Sequence, residues 1–172
     1  MNKIKEEINK ASVYSNKEKY DEAIEILEKL YKDNPDSEKI KKILIKTLFD
    51  YGGYLNDNYI SDYNKALFIF SKILDLEHKN YRALYNLGIT YYNLKKNENA
   101  LEYYNKALAI KPDYKYCYYN IGLIYEDMEE LQKALESFEK ALEIDGNFTY
   151  ALQAKNCVRK KIDTLKYSKS RE

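Results

Sequence analysis

Small and large apolar residues recur along this chain in two interleaved spacings. Leu84, Leu87, Gly88 and Tyr91 fall three, one and three apart, the signature of one face of an amphipathic helix. After a short polar stretch, Ala100, Tyr104 and Ala107 mark the apolar face of a second helix, and Pro112 closes the unit. Moving on by 34 residues refills the slots: Tyr118, Ile121, Gly122 and Tyr125, then Ala134, Phe138 and Ala141, with Gly146 in place of the proline. Each unit is expected to be a helical hairpin. Its small slots let two helices approach closely and its rings fill the space between hairpins.

The pattern continues upstream with departures. Tyr14, Ala23, Leu27, Leu30 and Pro35 give an earlier unit in which Lys10 and Ala11 hold the slots of Leu87 and Gly88. An end unit is expected to be atypical because one face meets water. The unit between them, 38–80, is nine residues longer than the period. Its second helix fits as Ala66, Phe70 and Ile73, with His78 in the proline slot, and its first as Leu48, Tyr51, Gly52 and Leu55. Two residues of the excess fall in the turn around Asn56, Asp57 and Asn58, and seven lie before the helix. Seven residues are about two helical turns, so Ser37 to Leu55 reads as one long helix with Ile40, Ile43, Leu44, Thr47 and Leu48 on one face, unless Gly52-Gly53 breaks it. After Phe148 a last amphipathic stretch carries Ala151, Leu152, Cys157, Val158, Ile162 and Leu165.

These slots resemble the tetratricopeptide repeat. The resemblance implies an all-α, right-handed superhelical array of antiparallel hairpins: repeats at 4–37, 38–80, 81–114 and 115–148, a capping helix at 149–166, and a frayed tail at 167–172. In that family the first helix of each hairpin lines a concave, peptide-binding groove. Carried onto this chain, the groove holds Phe49, Arg82, Tyr85, Asn86, Ile89, Tyr92, Tyr116, Tyr119, Asn120, Leu123, Asp127 and Tyr150. Asn86 and Asn120 occupy equivalent slots, and an amide offers donors and an acceptor to any peptide backbone. They either hold an extended ligand, as such asparagines do in the family, or satisfy local groups between repeats. The family members that clasp acidic chaperone tails use a Lys/Asn clamp. Here the first pair of its slots holds Ile8 and Ser12, or Tyr85 and Ile89, and the last pair Arg82 and Asn86, or Tyr150 and Ala154, so the carboxylate clamp is not expected.

Composition changes the picture in one respect. Of 172 residues, 20 are Tyr and none Trp, so an apolar face must be built largely with rings that carry a hydroxyl. Eight of them (Tyr14, Tyr20, Tyr51, Tyr63, Tyr91, Tyr104, Tyr118 and Tyr125) fall in packing slots. Bases and acids number 29 and 28, which gives no whole-chain case for nucleic acid. The segment from Thr149 onward is locally basic, with seven bases against two acids. Lys155, Arg159, Lys160, Lys161 and Lys166 are either a solvated helix face or a docking site for RNA or an acidic surface.

Candidate chemistry is sparse. Cys117 and Cys157 are 40 residues apart with one histidine in the chain, so neither a zinc site nor another cofactor is expected, and both read as mostly buried free thiols of a reducing compartment. Phosphate-binding and hydrolase motifs are absent, which argues against an enzyme. No apolar run suits a signal peptide or membrane span. The reading is a cytoplasmic, non-enzymatic adaptor, monomeric rather than oligomeric, that binds a peptide or helix of another protein. The alternative is a structural or self-assembling module docking through the long second-repeat helix and the basic cap.

Overall fold

A computed structural model describes residues 2–169, and every element among them is helical. In chain order they are α1 (Asn2–Asn16), α2 (Tyr20–Asp33), α3 (Glu38–Leu55), α4 (Tyr63–Leu76), α5 (Tyr81–Asn93), α6 (Asn97–Ile110), α7 (Lys115–Asp127), α8 (Leu131–Ile144) and α9 (Thr149–Lys169). They form two compact units, one ending at Ala83 and the other beginning at Leu84. No helix among the described residues is long and apolar enough to cross a membrane.

One contact is repeated in three of the four hairpins and explains the glycine spacing. A Cβ on Gly52 would lie 2.5 Å from the ring of Phe70, one on Gly88 2.5 Å from Tyr104, and one on Gly122 2.5 Å from Phe138. All three rings are completely buried, so the second helix presses an aromatic face directly on the backbone of the first. In the first hairpin Ala11 stands in the glycine slot and Leu27 in the ring slot, both buried. The larger residue in the glycine slot thus goes with a smaller side chain than an aromatic ring in the ring slot.

The hairpin turns also share a conformation. Glu18, Ser61, Lys95 and Glu129, each five residues before the first small residue of its second helix, have φ of 51° to 60°. In three of them the chain closes as a Schellman motif: the amides of Lys19, Lys96 and Glu130 donate to the carbonyls of Tyr14, Tyr91 and Tyr125 at 3.0, 2.9 and 2.8 Å.

In the N-terminal unit α3 is unbroken through Gly52-Gly53, and Ile40, Leu44 and Leu48 of its extended face are buried. Ser37 caps it, its hydroxyl accepting from the Ile40 amide at 3.4 Å. The first two hairpins are joined by a stack of Tyr20 on Tyr51, centroids 4.9 Å apart, and by Asp21, which accepts from the Tyr51 hydroxyl at 2.9 Å and from Lys65 at 2.8 Å.

In the C-terminal unit α9 seats Ala151 and Val158 against α7 and α8. It extends to Lys169, three residues past the expected boundary at 166. Lys166, Tyr167, Ser168 and Lys169 contain no helix breaker, and the helix continues through them. The rest of the expected tail, 170–172 with its Arg171, lies outside the described residues.

Two further expectations are corrected by burial. Only Tyr51 and Tyr104 of the eight packing-slot tyrosines are buried; the others keep part of the ring in solvent, as an amphipathic side chain with a polar tip can. Cys117 is buried but Cys157 is exposed, because it lies off the α9 face that carries Val158 and Ile162.

Candidate interaction surface

The first helices of the C-terminal unit carry a continuous aromatic shelf. Tyr85 meets the edge of Tyr114 at 5.1 Å, and Tyr114 meets Tyr116 at 5.3 Å. Tyr116 packs on Phe148 at 5.5 Å, and Phe148 in turn contacts Tyr119 at 5.4 Å and Tyr150 at 5.9 Å. Phe148 is buried at the centre, while Tyr116 and Tyr150 are 41% and 64% exposed at the rim. Buried aromatic anchors flanked by exposed rings give large contact area for little conformational entropy.

Two members of this shelf, Tyr114 and Phe148, are absent from the candidate list. Tyr114 sits immediately before α7 and Phe148 immediately before the capping helix α9, and they are 34 residues apart. That recurrence is in the sequence, but it concerns turn positions rather than helix faces.

Polar groups along the same helices are stitched together at a spacing of 35, one position beyond the repeat. Asn120 donates from Nδ2 to the Tyr85 hydroxyl at 3.2 Å, the Tyr92 hydroxyl donates to Asp127 at 2.6 Å, and Lys161 donates to Glu126. The Asn120 amide is thereby engaged within the protein. Burial pushes the Tyr85 and Tyr92 hydroxyls up from the ordinary tyrosine value, and for Tyr92 the hydrogen bond to Asp127 adds to it, so both stay protonated, Tyr85 accepting from Asn120 and Tyr92 donating to Asp127. Ile89 and Leu123 lie half-buried between the aromatic and polar ends. Asn86 is likewise half-buried.

In the N-terminal unit the candidates are fewer. Phe49 is half-buried against Phe70, with the Arg82 guanidinium 4.9 Å above its ring, a cation–π contact. Lys46 pairs with Asp50 at 2.7 Å.

The basic cap is less basic in the fold than in the sequence. Lys155 pairs with Glu139 at 2.9 Å, and Lys161 with Glu126. Arg159, Lys160 and Lys166 are exposed.

Helical hairpins whose second helices press rings onto small residues of the first, and whose first helices share an exposed aromatic and polar face, define a helical-repeat protein. The chain belongs to the tetratricopeptide repeat family: that family's models match residues 8–37, 81–114 and 116–148. The long hairpin of α3 and α4 lies outside these matches, consistent with its nine additional residues.

Among curated proteins no sequence matches this chain. Solved structures do. The crystal structure of MamA is similar over 89% of this chain and 84% of its own, with 25% identity and a TM-score of 0.68. A tetratricopeptide repeat protein from Parabacteroides merdae is similar over 95% of this chain and 62% of its own, with 22% identity and a TM-score of 0.72. The first TPR of Spaghetti (RPAP3), in a structure bound to an HSP90 peptide, is similar over 69% of this chain and 93% of its own, with 22% identity and a TM-score of 0.62.

Proposed function

We propose that this protein is a non-enzymatic adaptor that holds a segment of another protein against the first-helix face of its C-terminal unit. The observation that carries the reading is the shelf itself: Tyr116 and Tyr150 are exposed, yet fixed in place by ring contacts to the buried Phe148. Surface aromatics anchored in this way are what binding hot spots are made of. The RPAP3 domain, with the same fold, is seen with a peptide. The slots where acidic-tail binders carry their clamp hold Tyr85 and Ile89 here, so the ligand belongs to another class than an acidic C-terminal tail. The reading places the protein in the cytoplasm.

The test compares the affinity of the copurifying partner for the natural protein and for an Asn86→Ala/Tyr119→Ala variant whose helix content is unchanged by circular dichroism. A loss of at least about tenfold is expected, since hot-spot truncations cost ~2 kcal/mol or more. Undiminished affinity would sink the groove assignment.

A further inference from the structure

We propose that the open groove between α1 and α2 is a second docking site, and that its occupant is a helix of another protein lying alongside α2 with a basic residue and, seven positions later, an acidic one. The site is built from the N-terminal unit alone and does not depend on the aromatic shelf.

Later hairpins show what such a groove takes. Where α2 packs on α3, Tyr51 and Ile73 are buried, and where α6 packs on α7, Ile121 and Ala141 are buried. Among the described residues no helix covers the first hairpin in this way. Its equivalent positions hold Lys10, which is exposed, and Leu30, which is half-buried. They line an open groove of about 700 Å³ together with the half-buried Ile4, Tyr14 and Ile26. The equivalent place in a later hairpin is filled by a helix, so the shape and the apolar floor suit a helix here.

Ion pairs between neighbouring second helices give the register. Asp21 of α2 accepts from Lys65 of α4 at 2.8 Å, and Glu28 accepts from Lys72 at 2.6 Å. Each step is seven residues on both helices, two turns or about 10 Å, so α2 and α4 run side by side in the same direction. On α2 the positions equivalent to Lys65 and Lys72 are Glu22 and Lys29. Both are exposed, both line the groove, and neither is engaged by an ion pair among the described residues. A helix seated on α2 as α2 is seated on α4 meets Glu22 with one residue and Lys29 with the residue seven later. Complementarity there calls for a base and then an acid.

Charge narrows the occupant further. Three lysines, among them Lys10 and Lys29, and four carboxylates, among them Glu22 and Glu25, share the groove walls, so neither a polyanion nor a polycation matches them. A second copy does not match either: no helix of this chain carries a base followed seven positions later by an acid.

The helix that fills the next groove supplies the probe. Hydrocarbon-stapled, fluorescein-labelled peptides of residues 20–33 are added to the full chain and read by anisotropy. One carries Asp21→Lys and keeps Glu28, which puts the base before the acid; the other keeps Asp21 and carries Glu28→Lys, the reverse order at the same net charge. The first is expected to bind about fivefold or more tightly than the second. Glu22→Lys/Lys29→Glu in the chain, at exposed positions, should invert that preference with helix content unchanged, and Tyr116→Ala/Tyr150→Ala should leave it intact. Equal affinities, no binding by either peptide, a preference that the charge exchange does not invert, or loss of binding in the tyrosine variant would each overturn the proposal. None of these outcomes bears on the shelf, whose own test is the Asn86→Ala/Tyr119→Ala variant.

Discussion

Gly52 and Gly53 are adjacent in α3, and alanine at one should do the opposite of alanine at the other. Both glycines are helical and neither has positive φ, so alanine brings each the same gain in helix propensity, about 1 kcal/mol. At Gly53 a Cβ meets nothing within 4 Å, and the gain is kept. At Gly52 the Cβ falls 2.5 Å from two atoms of the Phe70 ring, which is fully buried and cannot swing into solvent. Overpacking of this kind costs about 1–3 kcal/mol. The propensity gain cancels in the comparison, so the two variants should differ by ~1–3 kcal/mol, Gly53→Ala being the more stable. Adding Phe70→Leu to Gly52→Ala recreates the Ala11 and Leu27 pairing of the first hairpin. The pair should therefore be less destabilised than the sum of the two single changes. Urea unfolding followed by far-ultraviolet circular dichroism measures this, with the transition slopes compared because repeat arrays can lose cooperativity. Gly52→Ala as stable as Gly53→Ala, or a strictly additive double variant, would refute the contact as the reason for the glycine.

Other expectations follow from single groups. The Tyr104 hydroxyl is buried and makes no hydrogen bond of normal geometry, with the Asn120 amide as its polar neighbour, while Phe70 and Phe138 fill the same slot elsewhere. Tyr104→Phe should therefore leave stability unchanged or raise it by about 1 kcal/mol, and a loss of that size in urea unfolding would refute the assignment. Burial pushes the Cys117 thiol up to about 12, whereas Cys157 is exposed. One thiol should react with a disulfide reagent in the native protein at neutral pH and two after unfolding; rapid reaction of both in the native protein would contradict the packing. Burial opposes the charge on Asp21, but hydrogen bonds from Lys65 and Tyr51 hold its carboxyl below the usual range. A depressed carboxyl contributes stability above its unfolded value, about 3.9, and loses it as pH falls through the lower folded value. Asp21→Asn should thus weaken the protein at neutral pH and flatten the acid limb of its stability curve, and an unchanged limb in acid titration would count against the Asp21 bridge.

Much of the fold was legible because its determinants are local. The glycine and ring slots recur at fixed spacing, and the chain between Pro35 and Leu48 is long enough for two additional turns of α3, which the Ser37 cap and the buried Ile40 and Leu44 supply. The shelf was legible only in part. Tyr85, Tyr116, Tyr119 and Tyr150 follow from helix periodicity, but Tyr114 and Phe148 precede their helices and belong to no face. The bonds from Asn120 to Tyr85, from Tyr92 to Asp127 and from Lys161 to Glu126 span 35 residues, not 34. That offset belongs to side chains meeting across neighbouring helices, which the periodicity of a single helix does not encode. The charge of the cap was legible only in part for a related reason: counting charges from Thr149 onward leaves out Glu139 and Glu126, whose carboxylates pair with Lys155 and Lys161 from neighbouring helices.

The central claim is that the first-helix face of the C-terminal unit holds a segment of another protein. Placing a photo-crosslinking amino acid at position 150 on the shelf, and separately at Ile144, exposed on the second helix α8, tests it most directly in the full chain within its native cells. The account predicts that position 150 crosslinks to one defined segment of a partner, that position 144 does not, and that Tyr116→Ala removes the crosslink with the helix content intact. Equal crosslinking from both positions, or a crosslink at 150 untouched by Tyr116→Ala, would contradict it.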